Sequence, residues 1–197
     1  NELNIDENAL LLILQGGGIN IDKGAEELIE AVRLTPDVSL FIIGSGDILQ
    51  LLNRLVLEKN LSEKIRFIPK LPWDRLMAYT KSADVGMCLE KDTNMNYRFS
   101  IPNKLFDYIS AGIPVITGDL PEIKKIVEAY MCGIVIPVIR PEEISKALIK
   151  LRDNRELREQ FRKNSVLASM DLNWENESRL VSDFYAKILS REQPPLV

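Results

Sequence analysis

At 197 residues, 46% of them hydrophobic, the chain can bury one sizeable core but is short for two independent ones. A net charge of −4 and a pI near 5.1 exclude a nucleic-acid binder that works through a broad basic face, while a local cationic pocket stays open. Histidine is absent, which removes Ser-His-Asp and Cys-His catalysis and every zinc motif built on imidazole.

The apolar pattern predicts a first strand over 10–14, followed by Gly16-Gly17-Gly18 and then by Lys23-Gly24 at the start of a helix whose stripe is Ala25, Leu28, Ile29 and Val32. A second strand over 38–43 runs into Gly44-Ser45-Gly46, with Asp47 placed to cap a helix striped by Ile48, Leu51, Leu52 and Leu55. A third strand over 64–68 is followed by the turn 69–72 and a helix over 73–81. The fourth, over 84–89, leads into a long polar loop from Glu90 to Ser100. A helix over 102–111 comes next, with Leu105, Phe106 and Ile109 available for burial. A strand over 113–117, a helix over 121–129 and a strand over 133–138 complete the alternation, and helices over 141–151, 155–170 and 174–189 close the chain. Residues 1–8 and 191–197 read as a linker remnant and a tail around one domain over 9–190.

Strand-helix alternation with strands apolar at consecutive positions defines an α/β, Rossmann-like, doubly wound parallel sheet of about six strands. In such a sheet ligands bind outside the carboxyl ends of the strands. The residues found there are Gly16, Gly17, Gly18, Gly44, Gly46, Pro69, Leu71, Glu90 and the helix start Pro102-Asn103-Lys104. Glycines let backbone approach a phosphate, Lys23 can neutralise it, and a helix N-terminus supplies free amides and partial positive charge. Asp107, one turn further on, can accept from a sugar hydroxyl. The glycine loop fits neither the dinucleotide fingerprint, which needs a third Gly where Ile21 stands, nor a Walker loop, where Gly-Lys would replace Lys-Gly. Glu90 and Arg98 are the candidate sugar contacts of the polar loop. The set is a layout for a nucleotide sugar.

No apolar run approaches the roughly 18 residues of a membrane span, and residues 1–8 are polar rather than signal-like. Cys88 and Cys132 are unpatterned, which fits a reducing cytoplasm and gives no disulfide or zinc framework.

The run Pro102-Asn103-Lys104-Leu105-Phe106-Asp107-Tyr108, followed by Gly112-Ile113-Pro114-Val115-Ile116, resembles the P-x-K-x-x-E-Y-x-x-x-G-x-P-V-I signature of retaining GT-B glycosyltransferases of the large family-four group. Residues 11–24 resemble that family's strand, glycine loop and Lys-Gly step, 41–46 its I-V-G-x-G segment, and 65–71 the strand whose following backbone holds the nucleobase. Ala83-Asp84-Val85, Leu120-Pro121-Glu122-Ile123 and Trp174 fall on further family positions. The resemblance implies one lobe of a GT-B fold: the C-terminal half, which binds the nucleotide-diphosphate sugar, with Lys23 on the donor phosphate and Asp107 on the ribose. Catalytic roles fall to Lys23 and Lys104, which would stabilise the departing diphosphate without a metal or other cofactor.

Three departures stand out. Glycine replaces the arginine that pairs with the family's lysine, Asp107 replaces a glutamate, and Phe99 stands where the first glutamate of the E-x7-E pair is expected. The expected partners are a nucleotide sugar and an N-terminal Rossmann-like acceptor domain of the same polypeptide, with no nucleic acid and no membrane span in this segment. The expected location is cytoplasmic, peripheral to the inner membrane face through the missing half. A sugar-nucleotide epimerase of related fold and a non-catalytic nucleotide-binding module remain the alternatives.

Overall fold

The computed structural model describes residues 8–191. The predicted linker and tail lie outside the described residues, apart from Asn8 and the backbone of Arg191, which ends the last helix. Six strands form one sheet: β1 (Leu10–Gly16), β2 (Val38–Gly44), β3 (Ile65–Pro69), β4 (Val85–Cys88), β5 (Val115–Gly118) and β6 (Gly133–Ile136). All neighbouring strands pair in parallel, in the order β3-β2-β1-β4-β5-β6. The winding direction reverses between β1 and β4, so the crevice at their carboxyl ends is where such a sheet receives a ligand.

Alternating side chains along the strands feed two cores. Leu12, Leu14, Leu40 and Ile42 pack with α1 (Ala25–Leu34), α2 (Leu49–Glu58) and α7 (Pro141–Asp153) on one face. Ile13, Phe41, Ile43 and Val115 pack on the other face with α5 (Asn103–Ser110) and α6 (Pro121–Tyr130), and with Ala168 of α8 (Arg155–Asp171). Helix α3 (Trp73–Ser82) adds the partly buried Leu76 and Tyr79 to that second core. Strands covered on both faces explain the runs of consecutive apolar residues.

Four local expectations are corrected. The loop after β4 contains a short helix, α4 (Met95–Phe99), started by the Asn94 side chain accepting from the Tyr97 amide at 2.9 Å. It buries no residue, so no apolar stripe announced it. Asp47 does not cap α2: Ile48 holds that position without a side-chain bond. Leu51 is 43% exposed, because the buried stripe runs through Leu52 and Val56. On α5 the buried residues are Leu105, Tyr108 and Ile109, with Phe106 only partly covered.

Tyr108 is fully buried and lies across Gly86, where a Cβ would sit 2.3 Å from the ring Cγ. Its hydroxyl accepts from the Gln15 amide at 3.2 Å and faces the carbonyls of Ile13 and Met87 at 3.2 and 3.3 Å. Helix α5 is thereby pinned to the ends of β1 and β4. The last helix, α9 (Trp174–Arg191), contrasts with this: Leu180, Val181, Phe184, Tyr185 and Leu189 are all exposed.

Candidate diphosphate-sugar site

The carboxyl ends of β1, β2 and β3, the start of α5 and the end of β4 enclose a cavity of about 390 Å³. Of the predicted residues, Gly16, Gly17, Gly18, Lys23, Gly44, Leu71, Glu90, Pro102, Asn103, Lys104 and Asp107 line it. Gly46, Pro69 and Arg98 do not. Lys23, in the loop between β1 and α1, and Asp107, on α5, follow different strands, yet both line the same space.

The glycines divide by job. Gly44 has φ of +139°, and a Cβ there would lie 1.8 Å from the Gly16 carbonyl oxygen. A Cβ on Gly46 would lie 2.1 Å from the Ile19 carbonyl oxygen. Both therefore serve backbone-to-backbone contact between the two turns. At Gly17 a Cβ would meet nothing within 4 Å, so the space it leaves belongs to the cavity.

The cationic side of the cavity is organised around one carboxylate. Lys104 Nζ lies 2.9 Å and Lys23 Nζ 3.7 Å from the same Glu90 oxygen, Oε1. Lys23 also stands 4.1 Å above the centre of the Tyr97 ring, a cation–π contact. Burial pushes the Glu90 carboxyl up, but Lys104, the Cys88 thiol and Lys23 outweigh it and hold the group below its ordinary value. Lys104 thus stands beside Lys23 at the cavity. Arg98 does not: it pairs with Asp92 at 3.0 Å on the exposed face, carried outward by α4.

One turn along α5 from Lys104, Asp107 accepts from Gln15 Nε2 at 2.9 Å, while Gln15 Oε1 accepts from Thr80 Oγ1 at 2.7 Å. Burial pushes the Asp107 carboxyl above its ordinary value, against hydrogen bonds from Gln15 and Trp73. Pro102 holds the N-cap position of α5 and no side chain caps the helix, so its first amides are free of side-chain competition for an anion. Sequence reading missed Gln15, Ile43, Lys70 and Leu76, which also line the cavity. Gln15 carried a signal, since it is the one polar residue in an apolar strand and directly precedes the glycine loop.

Asp107→Asn should weaken nucleoside recognition and leave inorganic pyrophosphate binding unchanged, because the amide oxygen can still accept from Gln15 while the charge facing a hydroxyl donor is lost. Calorimetric titration of both ligands checks this, and equal losses would mark a folding defect.

A Rossmann-like lobe with this rim is the architecture of GT-B glycosyltransferases. Superposition on sucrose-phosphate synthase from Thermosynechococcus elongatus gives a TM-score of 0.84 at 19% identity, covering 97% of this chain and 48% of that one. Anabaena HepE in complex with UDP and glucose gives 0.78 at 13% identity, covering 91% and 49%. In sequence, an uncharacterized glycosyltransferase of Methanocaldococcus jannaschii is 23% identical over 175 residues, 85% of this chain and 43% of the relative. The chain therefore spans less than half the length of each of these proteins. The family model for glycosyl transferases group 1 matches residues 2–166, and the chain belongs to that family.

Proposed function

We propose that the chain is the C-terminal, donor-binding half of a retaining glycosyltransferase that takes a hexose from a nucleotide-diphosphate sugar. The observation that carries this reading is the meeting of Lys23, Lys104, the glycine loop and Asp107 in one cavity at the point where the sheet reverses direction. Two ammonium groups and the loop amides receive the diphosphate, Asp107 receives the ribose, and the backbone around Leu71 flanks the nucleobase.

Chemistry follows from placement of charge. When the bond from the anomeric carbon to the diphosphate breaks, negative charge grows on the leaving oxygen, and preorganised cations and amides facing it lower the barrier. This scheme uses no metal. HepE holds UDP and glucose on the same fold, which supports a nucleotide sugar as the ligand class.

The acceptor and any base come from an N-terminal Rossmann-like half. Coverage of under half of each relative supports this, as does the exposed apolar face of α9, which offers surface for a second lobe. The 197-residue chain alone should therefore bind donor without turning it over. Among the described residues no helix is long and apolar enough to cross a membrane.

Calorimetric titration with UDP, GDP, UDP-glucose and GDP-mannose tests the reading. It predicts saturable binding to one nucleotide series, with sugar discrimination and without magnesium. Binding of none of the four overturns it in favour of a non-catalytic module, and robust transfer by the isolated chain would show that it needs no second half.

A further inference from the structure

Glu90 is an odd residue to find in an anion site. Its side chain is 3% exposed, at the end of β4, and its negative charge weakens the very field that would attract a diphosphate. Oε2 accepts from the Cys88 thiol at 3.2 Å. Oε1 is buried and has no well-aligned hydrogen bond, although both ammonium groups approach it as ion pairs. A buried carboxylate is tolerated only when charge compensates it, so its position and those of the two lysines are mutually fixed.

The same arrangement answers a second difficulty. Lys23 and Lys104 are like charges converging on one cavity, and Lys104 stands in the first turn of α5, where the helix dipole disfavours a cation. Without an anion between them, two flexible side chains would splay into solvent. With Glu90 in place each ammonium gives one direction to Oε1, and its other N–H donors remain for a ligand.

We propose that Glu90 is a positioning residue: a buried counter-ion that holds Lys23 and Lys104 side by side for the diphosphate, rather than the sugar contact its place in the sequence implies. The inference rests on the reading of this cavity as a diphosphate site and assigns the residue that orders it. Field strength and positioning make opposite predictions for Glu90→Gln. Removing a negative charge should tighten anion binding if the field alone matters. Losing the anchor should loosen it.

The test is titration of the full 197-residue chain, Glu90→Gln and Glu90→Asp with inorganic pyrophosphate, UDP and GDP, each variant first shown to unfold cooperatively above the assay temperature. The aspartate keeps the charge and withdraws it by one methylene, and it serves if the glutamine variant does not fold. The expected result is loss of at least about tenfold in affinity for pyrophosphate and for the nucleotide that the unsubstituted chain binds, in every variant that folds. Unchanged or tighter binding in a folded variant overturns the positioning role while leaving the diphosphate site standing. If the unsubstituted chain binds none of the three probes, the diphosphate reading itself fails and takes this role with it. If neither variant folds, Glu90 is a folding residue and the positioning role is likewise overturned.

Discussion

Gly86→Ala should lower folding stability by about 3 kcal/mol or more, at the upper end of what overpacking a core costs. Gly86 sits in β4 between Ile13 of β1 and Val115 of β5, and the ring of Tyr108 occupies the space a side chain would need. A Cβ would lie 2.3, 2.4 and 2.7 Å from Cγ, Cδ2 and Cδ1. These are the atoms at the base of the ring, which cannot swing away without moving α5. Displacing Tyr108 also breaks its bond from the Gln15 amide, and Gln15 is the residue that holds Asp107. Loss of stability should therefore come with weaker nucleoside binding. Denaturant titration checks the first effect, and an unshifted midpoint would contradict it. Adding Tyr108→Ala to the alanine variant should cost less than the sum of the two single changes, since each residue's penalty arises from the other.

Lys23→Ala should weaken nucleotide-diphosphate binding by about 1.5 to 3 kcal/mol, the scale for a hydrogen bond to a charged group, or roughly 10- to 150-fold. The fold should survive, because Glu90 keeps Lys104 at 2.9 Å as its compensating charge. Inorganic pyrophosphate should lose affinity as the nucleotide does, and free nucleoside should lose little. Unchanged nucleotide affinity would make Lys23 an ordinary surface lysine and move the phosphate site elsewhere. Asp107→Asn is the complementary variant, in which the nucleoside end suffers and the pyrophosphate end does not.

The sheet was legible because strands buried on both faces show as unbroken apolar runs. All six strands were anticipated, with boundaries shifted by at most two residues at either end. Most of the cavity was legible for a related reason: the topology sends every loop after a strand to one rim, so Lys23, Glu90 and Asp107 could be grouped despite their separation in the chain. What stayed hidden depended on side-chain direction. No spacing rule shows that Glu90 turns inward to two lysines, that Arg98 turns outward to Asp92, or that the Tyr108 ring fills the gap over Gly86. Helix α4 was missed because its five residues bury nothing. The job of Gly44 and Gly46 was also out of reach, since it depends on two turns meeting backbone to backbone, where the Ser45 amide donates to the Gly16 carbonyl and the Ile19 amide to the Ser45 carbonyl.

The exposed apolar residues of α9 and the hollow between Ile101, Phe106 and Trp174 are a second feature of the lobe, separate in their lining residues from the charged cavity. The two differ in character. The charged cavity carries Lys23, Lys70 and Lys104 beside the uncapped start of α5, while the hollow is lined mostly by hydrocarbon with Asn173 and Glu177 among it.

A crystal structure of the chain with UDP or GDP, whichever binds, is the most direct test of the central claim. The account predicts a diphosphate bridging Lys23 and Lys104 beside the Gly17 and Gly18 amides, with the ribose at Asp107. A nucleotide seated in the apolar hollow by Trp174, or one whose phosphates touch neither lysine, would contradict it.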